Sequence, residues 1–172
     1  MKTLYILRHA KAAAEDREGD AERPLAKRGR KAAAAMGEYL ATLQPAPRLV
    51  LCSTARRTRE TLDQLLPALK PAPEVVYEEG LYLTAARRLL ERLQRLPENA
   101  ESVLLIGHNP GLHQLASTLA SDSGAFADGF PTAALAVLRL PGRWDGLRPH
   151  QARLLDYQTP KSLNREADSD PD

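Results

Sequence analysis

The sequence predicts an α/β sandwich, in which helices cover both faces of a mainly parallel sheet. Its length of 172 residues corresponds to one domain with room for a substantial core. A composition of 43% hydrophobic and 27% charged residues is that of a soluble globular protein rather than a disordered one. Short apolar runs alternate along the chain with stretches whose apolar residues recur at helical spacing, which is the pattern of repeated strand–helix units.

Charge and cysteine content exclude several classes of protein. The chain carries 24 basic and 22 acidic residues, so its net charge of +2 gives no broad grip on nucleic acid or anionic membranes. The single cysteine, Cys52, excludes an intramolecular disulfide framework and a CxxC zinc site. The apolar runs are too short for a signal peptide or a membrane span. We therefore expect a cytoplasmic protein with neither nucleic acid nor membrane as partner.

The elements of the first half follow from runs and periodicity. Residues 4–7 form a short apolar run typical of a buried strand, and the acidic stretch 15–22 is a predicted loop. A helix is predicted from 24 to 43, with Met36, Tyr39, Leu40 and Leu43 on one face, because Pro45 and Pro47 stop it. The apolar run 49–52 predicts a second strand, and the leucine spacing over 55–69 predicts a second helix.

The second half repeats the alternation and then changes. Predicted elements are a strand at 74–77, a helix at 85–96, a strand at 102–106 and a helix from Pro110, a residue favoured in a first helical turn. Strands at 133–140 and 152–157 have no helix between them, so we expect a hairpin at a sheet edge and a mixed sheet. We divide the chain into a domain over 1–160 and a mobile C-terminal tail over 161–172.

Polar residues that suit phosphate chemistry follow three of the predicted strands. Arg8 and His9 follow the first strand, and His108 follows the strand at 102–106. Just beyond the second strand lie Arg56, Arg57 and Arg59. Ligands bind outside the carboxyl ends of strands in open α/β sheets, so these side chains should converge at one edge. Arginines offer planar donors for phosphate oxygens, and a neutral imidazole can attack phosphorus. The sequence therefore predicts a phosphoryl-transfer site.

Four ordered motifs resemble the histidine phosphatase superfamily, also called the phosphoglycerate mutase-like superfamily. The motifs are Leu7-Arg8-His9-Ala10, Arg23-Pro24-Leu25 followed by Gly29, Ser53-Thr54-Ala55-Arg56-Arg57 leading to Thr61, and Gly107-His108-Asn109-Pro110. Segments at 130–134 and 159–163 resemble the bacterial SixA-like phosphohistidine phosphatases. The resemblance covers about residues 2–163. It implies a three-layer α/β/α fold, here without a cap domain, because no insertion long enough for a cap follows Arg57 or His108.

The resemblance also assigns residues to roles. It implies that His9 is the nucleophile and that Arg8, Arg57 and His108 bind the phosphoryl group, with no metal and no cofactor. Arg57 rather than Arg56 matches the family arginine, because it lies midway between Ser53 and Thr61. The expected reaction is metal-independent hydrolysis through a covalent phosphohistidine. Two departures from the family pattern, Ala10 and Thr54, should not abolish activity.

Some alternatives remain open from the sequence. No acidic proton donor is evident, and Glu78 and Glu79 near the end of the third strand are the candidates for reaching the pocket. Arg23 could line the pocket or pair with the acidic loop. The leading substrate is phosphohistidine in a protein; the alternatives are a small phosphoester such as a sugar or nucleotide phosphate, and a non-catalytic phosphate- or phosphoprotein-binding module. Physiological substrate, partner protein and oligomeric state do not follow from the sequence.

Overall fold

The fold is a six-stranded mixed sheet with helices on both faces, in the order β3-β2-β4-β1-β5-β6. This computed structural model describes residues 1–14 and 18–169. The strands are β1 (Lys2–Arg8), β2 (Leu49–Ser53), β3 (Glu74–Glu78), β4 (Ser102–Gly107), β5 (Leu135–Leu140) and β6 (Arg153–Gln158). The main helices are α1 (Lys27–Ala41), α2 (Arg56–Leu65), α3 (Ala86–Gln94), α4 (Gly111–Leu119) and α5 (Pro160–Ser169). The predicted three-layer α/β/α sandwich is confirmed.

Strand pairing places β1 in the interior of the sheet. β1 runs parallel to β4, and β2 runs parallel to both β3 and β4. β5 runs antiparallel to β1 and to β6, which lies at the edge. The predicted late hairpin and mixed sheet are therefore confirmed, although β5 itself is an interior strand. The described residues include no cap domain between these elements.

Side chains alternate between the two faces of the buried strands and so feed two apolar cores. On β1, Leu4 and Ile6 pack with α3 and α4, whereas Tyr5 and Leu7 pack with α1 and α2. This alternation is the period of two that a strand imposes on its side chains. Because both faces are covered, β1 and β4 read as continuous apolar runs, which explains why the sequence revealed them so clearly.

Two helix boundaries differ from the predicted ones. α1 begins at Lys27 rather than near Pro24, because Leu25 is extended and pairs with Ala12 across a short bridge. The predicted helix over 55–69 ends as an α-helix at Leu65 and continues as a short 3₁₀ turn over Leu66–Ala68. Pro67 lies in that turn, where a ring without an N–H cannot continue the α-helical hydrogen bonds.

The C-terminal segment differs from the expectation of a mobile tail from Lys161. Pro160–Ser169 forms α5, and the domain boundary expected at residue 160 falls at the start of this helix. Leu163 packs on the same core as α1 and α2, and the Ser162 amide donates to the Thr159 hydroxyl at 3.1 Å. Among the described side chains of α5, Leu163 is the one that packs on this core, so the segment lacks the repeated apolar spacing that predicts a helix. The tail's last residues, 170–172, lie outside the described residues, as do 15–17 of the predicted loop.

Gly37 tests the contact between α1 and α2. A Cβ at this position would lie 2.9 Å from the Leu65 Cα, a backbone atom that moves only with its helix. Gly37→Ala should therefore lower the free energy of unfolding by about 1–3 kcal/mol, the usual cost of overpacking. Urea denaturation followed by circular dichroism measures the change. Gly80→Ala is the matched control, because its Cβ would meet nothing within 4 Å; equal midpoints for the two variants would contradict the interpretation.

Candidate functional site

The four residues predicted for the site line one cavity at the carboxyl edge of the sheet. The cavity has a volume of about 330 Å³, and Arg8, His9, Arg57 and His108 are among its lining residues. Pairing of β1 with β4 aligns Arg8 with Gly107, and the His9 amide donates to the Gly107 carbonyl at 3.1 Å. The two histidines that directly follow these strands are therefore neighbours, with ring centroids 5.3 Å apart.

Hydrogen bonding fixes the tautomer of His9. Its side chain is buried, and Nδ1 lies 2.8 Å from the Ala10 carbonyl oxygen. A carbonyl oxygen only accepts, so Nδ1 must carry the proton and donate it. The lone pair is thus on Nε2, the nitrogen available for attack on an electrophile. The Ala10 amide donates to the Thr61 hydroxyl at 3.0 Å, which anchors the segment carrying His9 to α2.

Gly29 allows α1 to pack directly against the segment that follows His9. The Lys11 carbonyl accepts a hydrogen bond from the Ala26 amide at 2.9 Å. A Cβ at Gly29 would stand 2.1 Å from that carbonyl oxygen, so no larger residue fits here without moving the backbone. The glycine that follows the Arg23-Pro24-Leu25 motif therefore serves close packing at the rim of the cavity.

Ser53 at the end of β2 orients His108. His108 Nε2 lies 2.8 Å from the Ser53 hydroxyl, which also accepts a 3.3 Å hydrogen bond from the Ala55 amide. Within the described residues, the Ser53 hydroxyl has no other acceptor for its own proton. It therefore donates to Nε2, and the proton of the neutral imidazole lies on Nδ1. That Nδ1 is buried and has no partner among the described residues.

Both imidazoles are held in the neutral form. The pKa of His9 is lowered from 6.5 to about 4, first by burial and then by the guanidinium groups of Arg8, Arg57 and Arg23, although the Ala10 hydrogen bond opposes the shift. The pKa of His108 is lowered to about 3, mainly by burial and then by its neighbours His9 and Arg57. Desolvation and like charges both oppose imidazolium formation, so the two effects act together. His9 is consequently a free base at neutral pH.

Arg57 is a buried cation and Arg8 a half-buried one, and each has one buried donor without a partner. Arg8 Nη1 donates to the Phe130 carbonyl at 3.1 Å, and Arg57 Nη1 donates to the Asp20 carbonyl at 2.8 Å. The Nε atoms of Arg8 and Arg57 are buried without a hydrogen-bond partner. Together with His108 Nδ1, they are the three atoms of this kind identified within the described residues. All three belong to residues lining the same cavity.

Asp20 is the functional candidate that the sequence analysis missed. Its carboxylate accepts from Arg57 Nη2 at 3.1 Å, from Arg23 Nη1 at 3.1 Å and from the Tyr82 hydroxyl. The Tyr82 hydrogen bond and these two arginines lower the pKa of Asp20 to about 2, against a smaller effect of burial. Asp20 lies in a polar loop without periodicity. The signal available in the sequence is its position three residues before Arg23. That spacing indicates a role only once the fold shows that both residues line the cavity.

Glu78 and Glu79 do not line the cavity. Arg92 binds the Glu78 carboxylate with contacts of 2.7–2.9 Å, and Glu79 is exposed. The sequence left two roles open for Arg23, and the structure shows both. Its side chain lines the cavity and also pairs with Asp20 of the acidic loop. Of the described carboxylates, Asp20 is the one that lines the cavity.

Three other basic residues of α2 and α4 have structural contacts. Arg56 pairs with Glu60 at 2.8 Å, and the exposed Arg59 donates to the Thr54 carbonyl. His113 Nε2 lies 2.8 Å from the Phe126 carbonyl oxygen, and the His113 amide donates to the Asn109 side chain at 3.3 Å. Asn109 therefore uses a first-turn amide of α4 that could otherwise attract an anion.

The described residues were also compared with what a membrane span, a metal site or a reactive thiol requires. No helix within residues 1–14 and 18–169 is long and apolar enough to cross a membrane. Across the same part of the chain, no group of three or more histidine, cysteine, aspartate or glutamate side chains is arranged to hold a metal ion. Cys52 is buried, and burial raises the pKa of its thiol to about 12.

Comparison with known proteins places the chain among phosphatases. The model of the histidine phosphatase superfamily (branch 1) matches residues 4–82. An uncharacterised Mycobacterium tuberculosis protein is 38% identical over 165 residues, which cover 90% of this chain and all of that protein. A chloroplastic protein of Arabidopsis thaliana, also uncharacterised, is 33% identical over 132 residues, covering 71% of this chain and 61% of that protein.

Solved structures extend the similarity to the whole fold. The SixA proteins of Nakamurella multipartitia and Agrobacterium tumefaciens, both candidate phosphohistidine phosphatases, are 33% and 31% identical, with TM-scores of 0.78 and 0.80. Each comparison covers 92% of this chain, and 96% and 97% of the respective neighbours. The protein histidine phosphatase SixA complexed with tungstate is 24% identical, with a TM-score of 0.79 over 94% of this chain and 99% of the other, and shows the shared fold.

The pKa values of the two histidines are directly measurable. We expect His9 and His108 to stay neutral as the pH falls from 7 to 5.5, because their pKa values are lowered to about 4 and about 3. NMR titration of labelled imidazoles measures this, with His9→Gln and His108→Gln for assignment. Bound inorganic phosphate should raise both pKa values, since a nearby anion favours the protonated ring. Midpoints at or above 6.5 in the free protein would contradict the prediction.

Asp20 competes with any phosphate for the Arg57 guanidinium. Asp20→Asn removes a negative charge 3.1 Å from Arg57 while keeping the side-chain shape, so inorganic phosphate should bind about three- to tenfold more tightly. Isothermal titration calorimetry measures the affinity. Asp145→Asn is the matched control, because Asp145 pairs with the exposed Arg143 away from the cavity. Weaker phosphate binding in Asp20→Asn would instead mean that Asp20 holds Arg57 in place.

Proposed function

Because the chain belongs to the histidine phosphatase superfamily and is similar to its SixA proteins, we propose that it hydrolyses phosphohistidine in proteins through a covalent intermediate on His9. One observation carries the proposal. Three buried donors without partners, on Arg8, Arg57 and His108, line the cavity that also holds the free base His9. A buried donor left unpaired costs about 1–3 kcal/mol, and a phosphoryl group brings three acceptor oxygens that would recover this cost.

In the first step, His9 Nε2 attacks phosphorus. A new N–P bond forms on His9 while the bond from phosphorus to the substrate's imidazole nitrogen breaks, and the electron pair of that bond goes to the leaving ring. The attack requires the Nε2 lone pair, which the hydrogen bond from Nδ1 to the Ala10 carbonyl leaves free. A lowered His9 pKa keeps that lone pair unprotonated at neutral pH.

Arg8, Arg57 and His108 stabilise the transferring group. Charge spreads over the equatorial oxygens of the phosphoryl group in the transition state, so fixed cations and donors around it contribute most of the catalysis. Each guanidinium group is already held by a backbone carbonyl, that of Arg8 by Phe130 and that of Arg57 by Asp20. His108 presents Nδ1, and its pKa rises when the dianion enters, which strengthens this hydrogen bond.

Water completes the turnover. It attacks phosphorus on the phosphorylated His9, the N–P bond breaks with its electron pair returning to Nε2, and inorganic phosphate leaves. The proton on Nδ1 stays there throughout, hydrogen-bonded to the Ala10 carbonyl, so His9 returns to its starting tautomer.

The state of Asp20 favours phosphohistidine over ordinary phosphoesters. An alkoxide leaving group needs a proton from a nearby acid, a contribution of about 100- to 10,000-fold in rate. Asp20, the described carboxylate in the cavity, has its pKa lowered to about 2 and is therefore ionised at neutral pH. A substrate imidazole can instead take a proton from water on its other ring nitrogen. The cavity is thus suited to substrates whose leaving group departs without a proton from an enzymatic acid.

Turnover assays in the presence of a chelator test the proposal. The substrates are a phosphohistidine protein, potassium phosphoramidate and a panel of sugar and nucleotide phosphates. We expect selective hydrolysis of the two N–P substrates, and a loss of about 1,000-fold or more in His9→Ala because the nucleophile is removed. His150→Asn is the matched control, since asparagine tolerates the positive φ of 63° at this exposed position.

The intermediate has its own readout. After an acid-free quench, ³²P from the substrate should remain on the wild-type chain, survive alkali and be released by mild acid, as an N–P bond requires, and His9→Ala should carry no label. Faster turnover of a sugar or nucleotide phosphate than of phosphohistidine would overturn the substrate assignment. Phosphate binding without turnover of any substrate would support a non-catalytic binding module instead.

A further inference from the structure

A second and larger cavity adjoins the catalytic one, between α1 and α5. It has a volume of about 580 Å³ and shares two lining residues, Lys11 and Thr132, with the catalytic cavity. Lys11 stands two positions after His9, so the shared wall lies beside the proposed nucleophile. This α1–α5 groove therefore lies directly beside the cavity that would hold the phosphoryl group of a substrate.

Side-chain size on the two helices opens the groove. Arg28, Lys31, Ala32 and Ala35 line it from α1 and recur at i, i+3, i+4 and i+7, so they share one helix face. Pro160, Leu163 and Asn164 line it from α5 with the same kind of spacing. The alanines leave an apolar floor, and the first two turns of α1 place the long cations Arg28 and Lys31 at the end nearest Lys11.

The cations of the groove have no carboxylate partner in the part of the chain that the structure describes. Within residues 1–14 and 18–169, the side chains of Lys11, Arg28 and Lys31 form no ion pair with a carboxylate, and all three residues are exposed. Some arginines elsewhere do have such partners, as Arg23, Arg56 and Arg92 show. A positive surface around an apolar floor complements an acidic chain that also presents an apolar side chain.

We propose that the α1–α5 groove docks the polypeptide segment flanking the phosphorylated histidine, with an apolar side chain on the floor and acidic residues against Lys11, Arg28 and Lys31. This inference rests on the proposed function and specifies the substrate sequence that the same site selects. The volume of the groove exceeds the 330 Å³ of the catalytic cavity and suits several side chains rather than the remainder of one small phosphoester. Rim charges of this kind select partners and speed their association.

A pair of phosphohistidine peptides tests the groove. The peptides are identical except that glutamates or lysines flank the phosphohistidine, with one leucine in common. Wild-type kcat/KM should be about tenfold higher for the glutamate peptide at low salt, and the ratio should shrink as salt screens the charges. Arg28→Glu with Lys31→Glu should remove the preference, while phosphoramidate hydrolysis stays within about twofold of wild type because that small substrate does not reach the groove.

Two further variants serve as controls. One tests whether net charge alone changes the preference, and the other tests whether the apolar floor of the groove contributes to docking. Lys70→Glu with Arg95→Glu makes the same change in net charge at exposed positions outside both cavities and should retain the preference. Ala35→Phe fills the exposed floor and should lower kcat/KM for both peptides but not for phosphoramidate. If the wild-type protein does not hydrolyse phosphoramidate, the proposed function itself is overturned. Normal phosphoramidate turnover with no peptide preference would overturn only the groove. A preference for bisphosphorylated sugars that Arg28→Glu with Lys31→Glu abolishes would assign the groove to a small anion.

Discussion

The parallel pairing of β1 with β4 is the constraint on which the site depends. Its register aligns Arg8 with Gly107, so the residues that follow, His9 and His108, leave the sheet side by side. β2 pairs on the other side of β4 and ends at Ser53, within hydrogen-bond distance of His108. A slip of this pairing would separate the histidines and would also move each apolar side chain to the wrong face. Core packing and site geometry are thus fixed by the same hydrogen bonds.

The chemistry of the site is determined by two arginines that lie next to the two imidazoles. Arg8 and Arg57 lie in a low-dielectric edge of the sheet, where their charges act on the imidazoles with little screening by water. Their field and the loss of solvent keep His9 neutral and leave the cavity ready for an anion. Asp20 balances part of this charge in the free protein through Arg57 and Arg23. The balance is incomplete, because the Nε atoms of Arg8 and Arg57 stay unpaired.

The site and its surroundings divide the work of recognition. In the proposed function, the cavity at His9 provides donors for one phosphoryl group, and no protonated acid lines it among the described residues, which is why the proposed substrate has a good leaving group. The adjoining groove has apolar and basic walls and no evident role in bond breaking. Its helices α1 and α5 are positioned by unrelated contacts, Gly29 against Lys11 in one case and Leu163 against the core in the other. If the groove docks the flanking chain as proposed, its specificity can change without disturbing the proposed chemistry at His9.

The sequence by itself determined the strands, the main helices and the four residues that converge at the cavity. Buried strands appear as apolar runs, and residues placed directly after them must emerge at one edge of a parallel sheet. Tertiary structure decided the role of Asp20, the separation of Glu78 from the cavity, the tautomers of the histidines and the docking of α5. Each of these depends on contacts between segments far apart in the chain, such as Asp20 with Tyr82 or His108 with Ser53, and local periodicity carries no information about them.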